Sequence, residues 1–378
     1  MLHKRAIFFD RDGTILVPPA EYLSKPEQVK FYPGVPEAIA LLNGRGFRIV
    51  VVTNQAAVGR GMISEMDLLR VHNHMKRALA ERGAALDAVL YSPYFAGARL
   101  AEHRRRADER KPATGLFDEA ARRFKLSLKD SFVVGDSPVD IEAAHNIGAQ
   151  AVLVRTGKGD ETERSGGAGA DRVTDDAAEA AVWICRQVCD TPLKGKSVLF
   201  VLAGRNFQDR EYRVTRLALE AWGADVRVAG PARDECVSAE GVRVRPDMTV
   251  RSALDASFDA VVFIGGEGAR ALLACAPCQA LARDAYERKK VVAAICIAPS
   301  ILANAHLLAK RHAVAWHTEL SNLRKHGARV VARPVVRDGH VVTAAGPRDA
   351  ETFADAIRAA LRGEKIIEMT VASRAEAS

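Results

Sequence analysis

What this chain lacks narrows the possibilities first. No apolar run approaches the roughly 18 to 20 residues needed to span a bilayer, so membrane transport and membrane partners are not expected. Cysteine is sparse: six irregularly spaced residues in 378 make no disulfide framework, which points to reduced thiols. Met1-Leu2-His3-Lys4-Arg5 runs straight into an apolar segment without a signal-peptide pattern, and a cytoplasmic location is expected. What is present is ordinary for a globular protein, with 48% hydrophobic and 27% charged residues. A length of 378 residues exceeds one typical core and predicts two or three domains. The net charge of +8 is mostly scattered arginine, with one local cluster, RLAEHRRRADERK at 99–111. That cluster reads as a solvated loop face or as an anion-binding segment, and nucleic acid is not expected as a partner.

Apolar runs alternate with amphipathic helical stretches throughout, the pattern of parallel α/β folds. In the first half the pattern predicts strands at 6–10, 48–53, 87–91, 131–135 and 151–154, and helices near 35–45, 64–82, 113–124 and 138–147. The segment GKGDETERSGGAGA at 157–170 reads as a loop. CDTPLKGK at 189–196 interrupts the alternation, which restarts with SVLFVLA at 197. The second half predicts strands at 225–229, 260–264, 291–295, 313–315 and 340–344. Its helices fall at 210–222, 268–288, 299–308 and 349–362. Two doubly wound α/β domains follow, 1–190 and 191–366, with 367–378 as a flexible tail. Each sheet is expected to carry its site at the C-terminal ends of its strands.

The stretch AIFFDRDGTIL at 6–16 ends a buried-type strand in two carboxylates, Asp10 and Asp12. Charge there needs compensation, which a polar cleft at the strand exit supplies. Paired aspartates suit phosphate-ester hydrolysis: one attacks phosphorus, and the other protonates the leaving oxygen and then activates water. Three further segments fit the same chemistry. VVVTNQ places Thr53 and Asn54 at another strand end, as donors for phosphoryl oxygens. RKP supplies Lys111 as a cation, and VVGDSPVD ends a strand with Asp136. Asp10, Asp12 and Asp136 together are expected to bind Mg2+ through oxygen.

These motifs, in this order, resemble the haloacid-dehalogenase (HAD) superfamily. Within it, FFDRDGTIL, YLSKPEQVKFYPGV, VVVTNQAAVGRG, RKP and GDSPVDIEAAHNIGAQAVLVRTGKG are similar to the D,D-heptose 1,7-bisphosphate phosphatase and histidinol-phosphatase branch. The resemblance covers roughly residues 4 to 190 and implies a HAD-like Rossmannoid fold. It implies Asp10 as nucleophile, Asp12 as general acid/base, and Asp136 completing a magnesium site. Asp140 would support Lys111, and Arg110 would grip a distal group of the substrate. The chain departs from this branch where a zinc loop is usual: Ser92-Pro93-Tyr94 and Ala107-Asp108-Glu109 carry none of its cysteines or its histidine, so no zinc is expected. TNQ followed by GRG also occurs in polynucleotide 3′-phosphatases. No GxxxxGKS/T loop of their usual kinase partner is present.

In the second half, VVAAICIAPSILANA at 291–305 is a strand, a cysteine and a helix opened by Pro299. The geometry predicts a tight strand-to-helix turn that presents Cys296 near a helix N-terminus, where a thiol's pKa falls. Glu211 begins a helix after the first strand. Gly265 and Gly266 follow another strand, where bare amides could form an oxyanion pocket. This set, with the closing segment ARVVARPVVRDGHVVTAAGPRDAETFADAI, resembles the ThiJ/PfpI family from about 195 to 364. The resemblance implies a flavodoxin-like (class I glutamine amidotransferase-like) fold and a homodimer. By it Cys296 is the reactive thiol, Glu211 its carboxyl partner, and His317 the site histidine of part of the family. Ile297 stands where the protease-like members carry histidine, which argues against peptidase chemistry. Cys275 and Cys278, a CxxC inside a helical stretch, read as structural. Cys185 and Cys189 read as core, and His72 and His74 as surface groups.

The reading is a magnesium-dependent phosphatase for a small phosphorylated metabolite, a sugar bisphosphate foremost, joined to a ThiJ/PfpI-like domain. The alternatives are a stress-response or redox-sensing binding protein led by the second domain, and a polynucleotide 3′-phosphatase.

Overall fold

Ala6–Phe9 is too apolar for any place but a sheet interior, and all four residues are buried there as strand β1. Beside it lie Arg48–Asn54 (β2), Ala88–Ser92 (β3), Phe132–Gly135 (β4), Gln150–Val154 (β5) and Arg172–Thr174 (β6). The six strands are parallel, in the order β3-β2-β1-β4-β5-β6. Phe9 aligns with Val51 on one side and Val134 on the other, so β1 and β4 end within a residue of each other while β2 runs on to Asn54. The strand order reverses between β1 and β4. In open α/β sheets the crevice beyond the strand ends at that point receives the ligand. The computed structural model describes residues 4–94, 97–98 and 107–364, which divide into two compact units, 1–190 and 191–378. Most of the 99–110 loop and the 367–378 tail lie outside the described residues.

The helices of the first unit are Val35–Gly44 (α1), Ala56–Gly59 (α2), Glu65–Ala80 (α3), Gly115–Phe124 (α4), Pro138–Asn146 (α5), Gly159–Arg164 (α6) and Ala177–Val188 (α7). Ser64 caps α3 by accepting a hydrogen bond from the Asp67 amide (3.1 Å). The buried stripe of α3 is Leu68, Val71, His72, Met75 and Leu79, at helical spacing. His72 is therefore an interior residue, not the surface group expected from sequence. The glycine-rich segment read as a loop contains α6. Gly159 is there for close approach, since a Cβ on it would meet the Val154 carbonyl oxygen at 1.7 Å.

The second unit is built on seven strands in the order β12-β9-β7-β13-β14-β18-β17, defined as follows. In chain order its strands are Ser197–Val201 (β7), Arg205–Phe207 (β8), Asp225–Gly230 (β9), Cys236–Ser238 (β10), Arg243–Val244 (β11), Met248–Thr249 (β12), Ala260–Phe263 (β13), Val291–Ile295 (β14), His312–Ala313 (β15), Arg329–Val330 (β16), Val335–Asp338 (β17) and Val341–Ala344 (β18). Only β17 runs antiparallel in the main sheet, closing a hairpin with β18. A small sheet of β11-β10-β8 and a β15-β16 pair complete the set. Alternate residues of β7 feed opposite cores: Leu199 and Val201 one, Val198 and Phe200 the other. Both sheet faces are thus covered, as a parallel sheet requires.

Its helices are Asp209–Ala221 (α8), Val250–Ala253 (α9), Ala276–Glu287 (α10), Pro299–Asn304 (α11), Leu320–Lys325 (α12) and Ala350–Leu361 (α13). The helix read from 268 to 288 is in fact two pieces. A 3₁₀ segment, Glu267–Leu272, precedes α10, whose first turn holds Pro277. Proline lacks the amide that a helix interior needs, so the α-helix starts there and does not run through.

Candidate functional site

The first site lies at the reversal point of the first sheet. Asp10 leaves β1, Asp136 leaves β4, and Asp140 sits in the first turn of α5. One carboxylate oxygen from each lies within 4.8 Å of the others. Lys111, buried to 4% exposure, donates through Nζ to Asp10 Oδ1 (2.6 Å) and Asp140 Oδ1 (2.5 Å). Asp140 spends its other oxygen on the backbone amide (3.2 Å) and hydroxyl of Ser137, in a capping box. Asp136 Oδ2 accepts from the Lys158 amide (2.8 Å). Asp10 Oδ2 and Asp136 Oδ1 take part in none of these bonds.

Burial pushes the Asp10 carboxyl up to about 7, against the pull of Lys111 and with the help of Asp140 and Asp12. Burial likewise raises Asp136 to about 6, the Lys158 amide opposing it. Lys111 shifts upward overall: burial disfavours its charge, but Asp10 and Asp140 outweigh that. Three carboxylates against one ammonium leave net negative charge among hard oxygen donors, a set that fits Mg2+. Two glycines make the space: a Cβ on Gly13 (φ +88°) or on Gly157 (φ +61°) would meet Asp136 Oδ2 at 2.1 Å.

Of the three aspartates expected to bind Mg2+, Asp10 and Asp136 meet here, together with Asp140. Asp12 does not turn its carboxylate into this cluster, because Arg11 and Gln55 hold it. Arg11 donates from Nη2 to Asp12 Oδ2 (2.8 Å) and from Nε to Oδ1 (3.1 Å), while Gln55 Nε2 donates to Oδ2 (2.9 Å). Arg11 is itself 1% exposed. It also donates to Gln55 Oε1 (2.9 Å), and its Nη1 lies 3.0 Å from His72 Nε2. Arginine only donates, so His72 accepts at Nε2 and carries its proton on Nδ1. Sequence reasoning passed over Arg11 and Gln55 and read His72 as a surface group. The signal for His72 was its place in the apolar stripe of α3.

Thr53 and Asn54 stand at the end of β2, as expected, but with a different use for Asn54. Its amide donates to the Lys111 carbonyl (3.0 Å) and accepts from the Lys111 amide (3.0 Å). Asn54 therefore fixes the Lys111 backbone, and the second hydrogen of its amide nitrogen takes no part in these bonds. Thr53 Oγ1 accepts from Gln55 Nε2 (2.9 Å), and its hydroxyl hydrogen remains available. Arg110 donates to the Tyr94 carbonyl (3.3 Å), and partial burial followed by the neighbouring Arg60 charge lowers its pKa.

In the second unit Cys296 sits between β14 and α11 with φ +64°, the left-handed turn expected of it. Gly265 lets the parts meet: a Cβ there would lie 2.6 Å from Cys296 Cβ and 2.7 Å from Glu211 Oε2. Glu211 is fully buried at the start of α8, and its Oε2 accepts from the Gly265 amide (3.0 Å). Burial raises Glu211 to about 8, so it is protonated at neutral pH. The thiol's place at a helix start was expected to lower its pKa; burial acts in the opposite direction. Burial, then Glu211 in its ionised form, pushes Cys296 up to about 12, opposed by the amides of Gly266 and Ile297. The helix that follows has only six residues, too short for a strong terminal field. His317 is exposed and packs its ring on Trp316 (centroids 5.0 Å apart). No hydrogen bond joins it to Cys296 or Glu211 among the described residues. A buried residue the sequence did not flag, Glu319, accepts from Ser300 Oγ (2.7 Å) and Arg270 Nη1 (2.9 Å).

A model of the HAD-hydrolase-like family matches residues 109–180, and one of the DJ-1/PfpI family matches residues 196–360. The D-glycero-beta-D-manno-heptose-1,7-bisphosphate 7-phosphatase of Photorhabdus laumondii is 37% identical over 195 residues, 51% of this chain and 96% of that protein. The D,D-heptose 1,7-bisphosphate phosphatase of B. bronchiseptica, solved with magnesium and phosphate, is 32% identical with a TM-score of 0.44; the match covers 49% of this chain and 99% of that one. A ThiJ/PfpI domain protein from Brachyspira murdochii is 30% identical with a TM-score of 0.43, covering 46% of this chain and 99% of its own.

Proposed function

The chain belongs, through its first half, to the HAD-type heptose-bisphosphate phosphatases and carries a DJ-1/PfpI domain in its second, and from that premise we propose that it is a magnesium-dependent phosphatase removing one phosphate from a heptose 1,7-bisphosphate. The observation that carries this reading is the meeting of Asp10, Asp136 and Lys111 where the sheet order reverses. Asp10 attacks phosphorus, and the bond from phosphorus to the sugar oxygen breaks. Asp12 gives its proton to that oxygen. Water then attacks the aspartyl-phosphate, Asp12 takes the proton back, and inorganic phosphate leaves with Asp10 restored. Arg11 and Gln55 hold Asp12 apart from Asp10, which keeps it free for proton transfer. Asp10 and Asp136 would hold Mg2+, which supplies positive charge against the developing phosphoryl charge and keeps Asp10 ionised.

The test is phosphate release from D-glycero-β-D-manno-heptose 1,7-bisphosphate, with histidinol phosphate and a 3′-phosphorylated oligonucleotide as competitors. Preference for the heptose bisphosphate by at least tenfold in kcat/KM, lost on adding EDTA and regained with magnesium, is the expected result. Preference for either competitor overturns the substrate assignment.

For the second unit we propose a thiol that reacts with peroxide, supported by the neutral Glu211 beside Cys296. The minor deprotonated form of Cys296 attacks one peroxide oxygen as the thiolate, releasing water and leaving a sulfenate. A second peroxide gives the sulfinate, whose oxygen accepts a hydrogen bond from protonated Glu211. Peroxide-treated protein should show two added oxygens on the Cys296 peptide, and Glu211→Leu should show overoxidation to three. The same product in both would remove Glu211 from this role.

A further inference from the structure

The sequence CAPC at 275–278 acquires a new meaning once the helix around it is seen to break. Cys275 is the N-cap of α10, with φ −72° and ψ 103°, and Cys278 lies in its first turn. Burial, and then the adjoining Cys275, raises the Cys278 thiol. Residues three apart in a helical turn have Cα atoms about 5 Å apart, inside the range a disulfide spans. Cys278 is fully buried in the core, whereas Cys275 is partly exposed. The helix behind them is a 12-residue crossover between the parallel strands β13 and β14.

We propose that Cys275 and Cys278 form a redox dithiol that closes to an intramolecular disulfide by exchange with small-molecule or protein disulfides. The Cys275 thiolate attacks one sulfur of R–S–S–R, and the leaving thiolate takes up a proton to become R–SH. Cys278 then loses its proton and attacks Cys275 sulfur, releasing the second R–SH. The dithiol is oxidised by two electrons and the external disulfide is reduced by two. Cys275 is the attacking thiol because it is reachable and stands at the positive end of a three-turn helix. Cys278 is the resolving thiol, shielded from reagents and held protonated by burial. The Leu273 carbonyl, two residues before Cys275, is pinned by Gln279 Nε2 (2.8 Å) and Asn304 Nδ2 (3.0 Å).

The same chain holds an internal control. Cys185 and Cys189 are also neighbours, one buried and one partly exposed, but Cys189 follows the last turn of α7. There the helix presents carbonyls, which oppose a thiolate. Equal contact at opposite helix ends predicts opposite behaviour.

The experiment equilibrates the full chain in glutathione and glutathione disulfide mixtures, traps free thiols with N-ethylmaleimide, and maps them by peptide mass. Two of the six thiols, Cys275 and Cys278, should disappear together at a midpoint independent of protein concentration. In Cys278→Ser the disulfide cannot close, and a stable glutathione adduct should collect on Cys275. Cys278→Ala serves in its place if the serine variant fails to fold. Full labelling of Cys275 and Cys278 across the whole series overturns the proposal. So does closure of Cys185–Cys189 at a more reducing mixture than the 275–278 pair, or a glutathione adduct in the variant on any cysteine but Cys275.

Discussion

Replacing Asp10 with asparagine is expected to lower magnesium-supported phosphate release by roughly 10⁴-fold or more, the scale seen when a nucleophile is removed. Asparagine has the same shape and can still accept from Lys111 through its amide oxygen, so the unit should remain folded. What disappears is the anionic oxygen that attacks phosphorus, together with one of the two carboxylates assigned to the metal. Steady-state phosphate release, alongside circular dichroism to confirm the fold, makes the measurement. Activity within tenfold of the parent would rule out an aspartyl-phosphate.

The second large effect is expected from Lys111→Met. The ammonium holds both Asp10 and Asp140, and its side chain is 3% exposed. Methionine fills the space but leaves two buried carboxylates facing each other without a counter-charge. Breaking a buried ion pair on one side costs about 3–5 kcal/mol. For a unit of this size that corresponds to a drop of roughly 10 °C in its melting temperature. Activity should be lost as well, because Asp10 would then be protonated over more of the pH range. Lys111→Arg should not restore activity, since a planar guanidinium does not match a site built around one compact charge. Differential scanning calorimetry of the full chain checks the stability claim. A first-unit transition that stays in place would show that Asn54 and the loop backbone, not the charge, hold this corner together.

Much of this site is legible in the sequence because each motif follows an apolar run. A run such as Ile7-Phe8-Phe9 must be a central strand, and the polar residues after it must lie at that strand's exit. Asp10, Thr53 and Asp136 were placed this way. Side-chain partners are not legible by the same reasoning. Asn54 follows Thr53 at the strand end, yet its amide serves the Lys111 backbone, a contact between residues 57 positions apart. Arg11 sits between two aspartates and looks like a surface charge. The Asp12 carboxylate, with Gln55 and His72 from other elements, makes its burial tolerable. The break before the CxxC was missed for a simpler reason: Pro277 marked a helix start, and the apolar periodicity on both sides of it concealed the break. The small sheet of β8, β10 and β11 escaped notice because strands of two or three residues are too short to show alternation.

The histidine beneath Arg11 also sets how this unit meets acid. Burial, then the Arg11 charge, pushes His72 down to about 3, with Lys76 acting in the same direction and Asp12 against it. In the unfolded chain the ring titrates near 6.5. Between those values the unfolded chain holds a proton that the folded one refuses, so stability contributed by His72 is complete above about 6.5 and declines as pH falls toward 3. Arg11 is adjacent in the chain to both Asp10 and Asp12. Acidification therefore loosens the support under the loop that carries both aspartates, and the earliest acid damage is expected at the reaction centre itself.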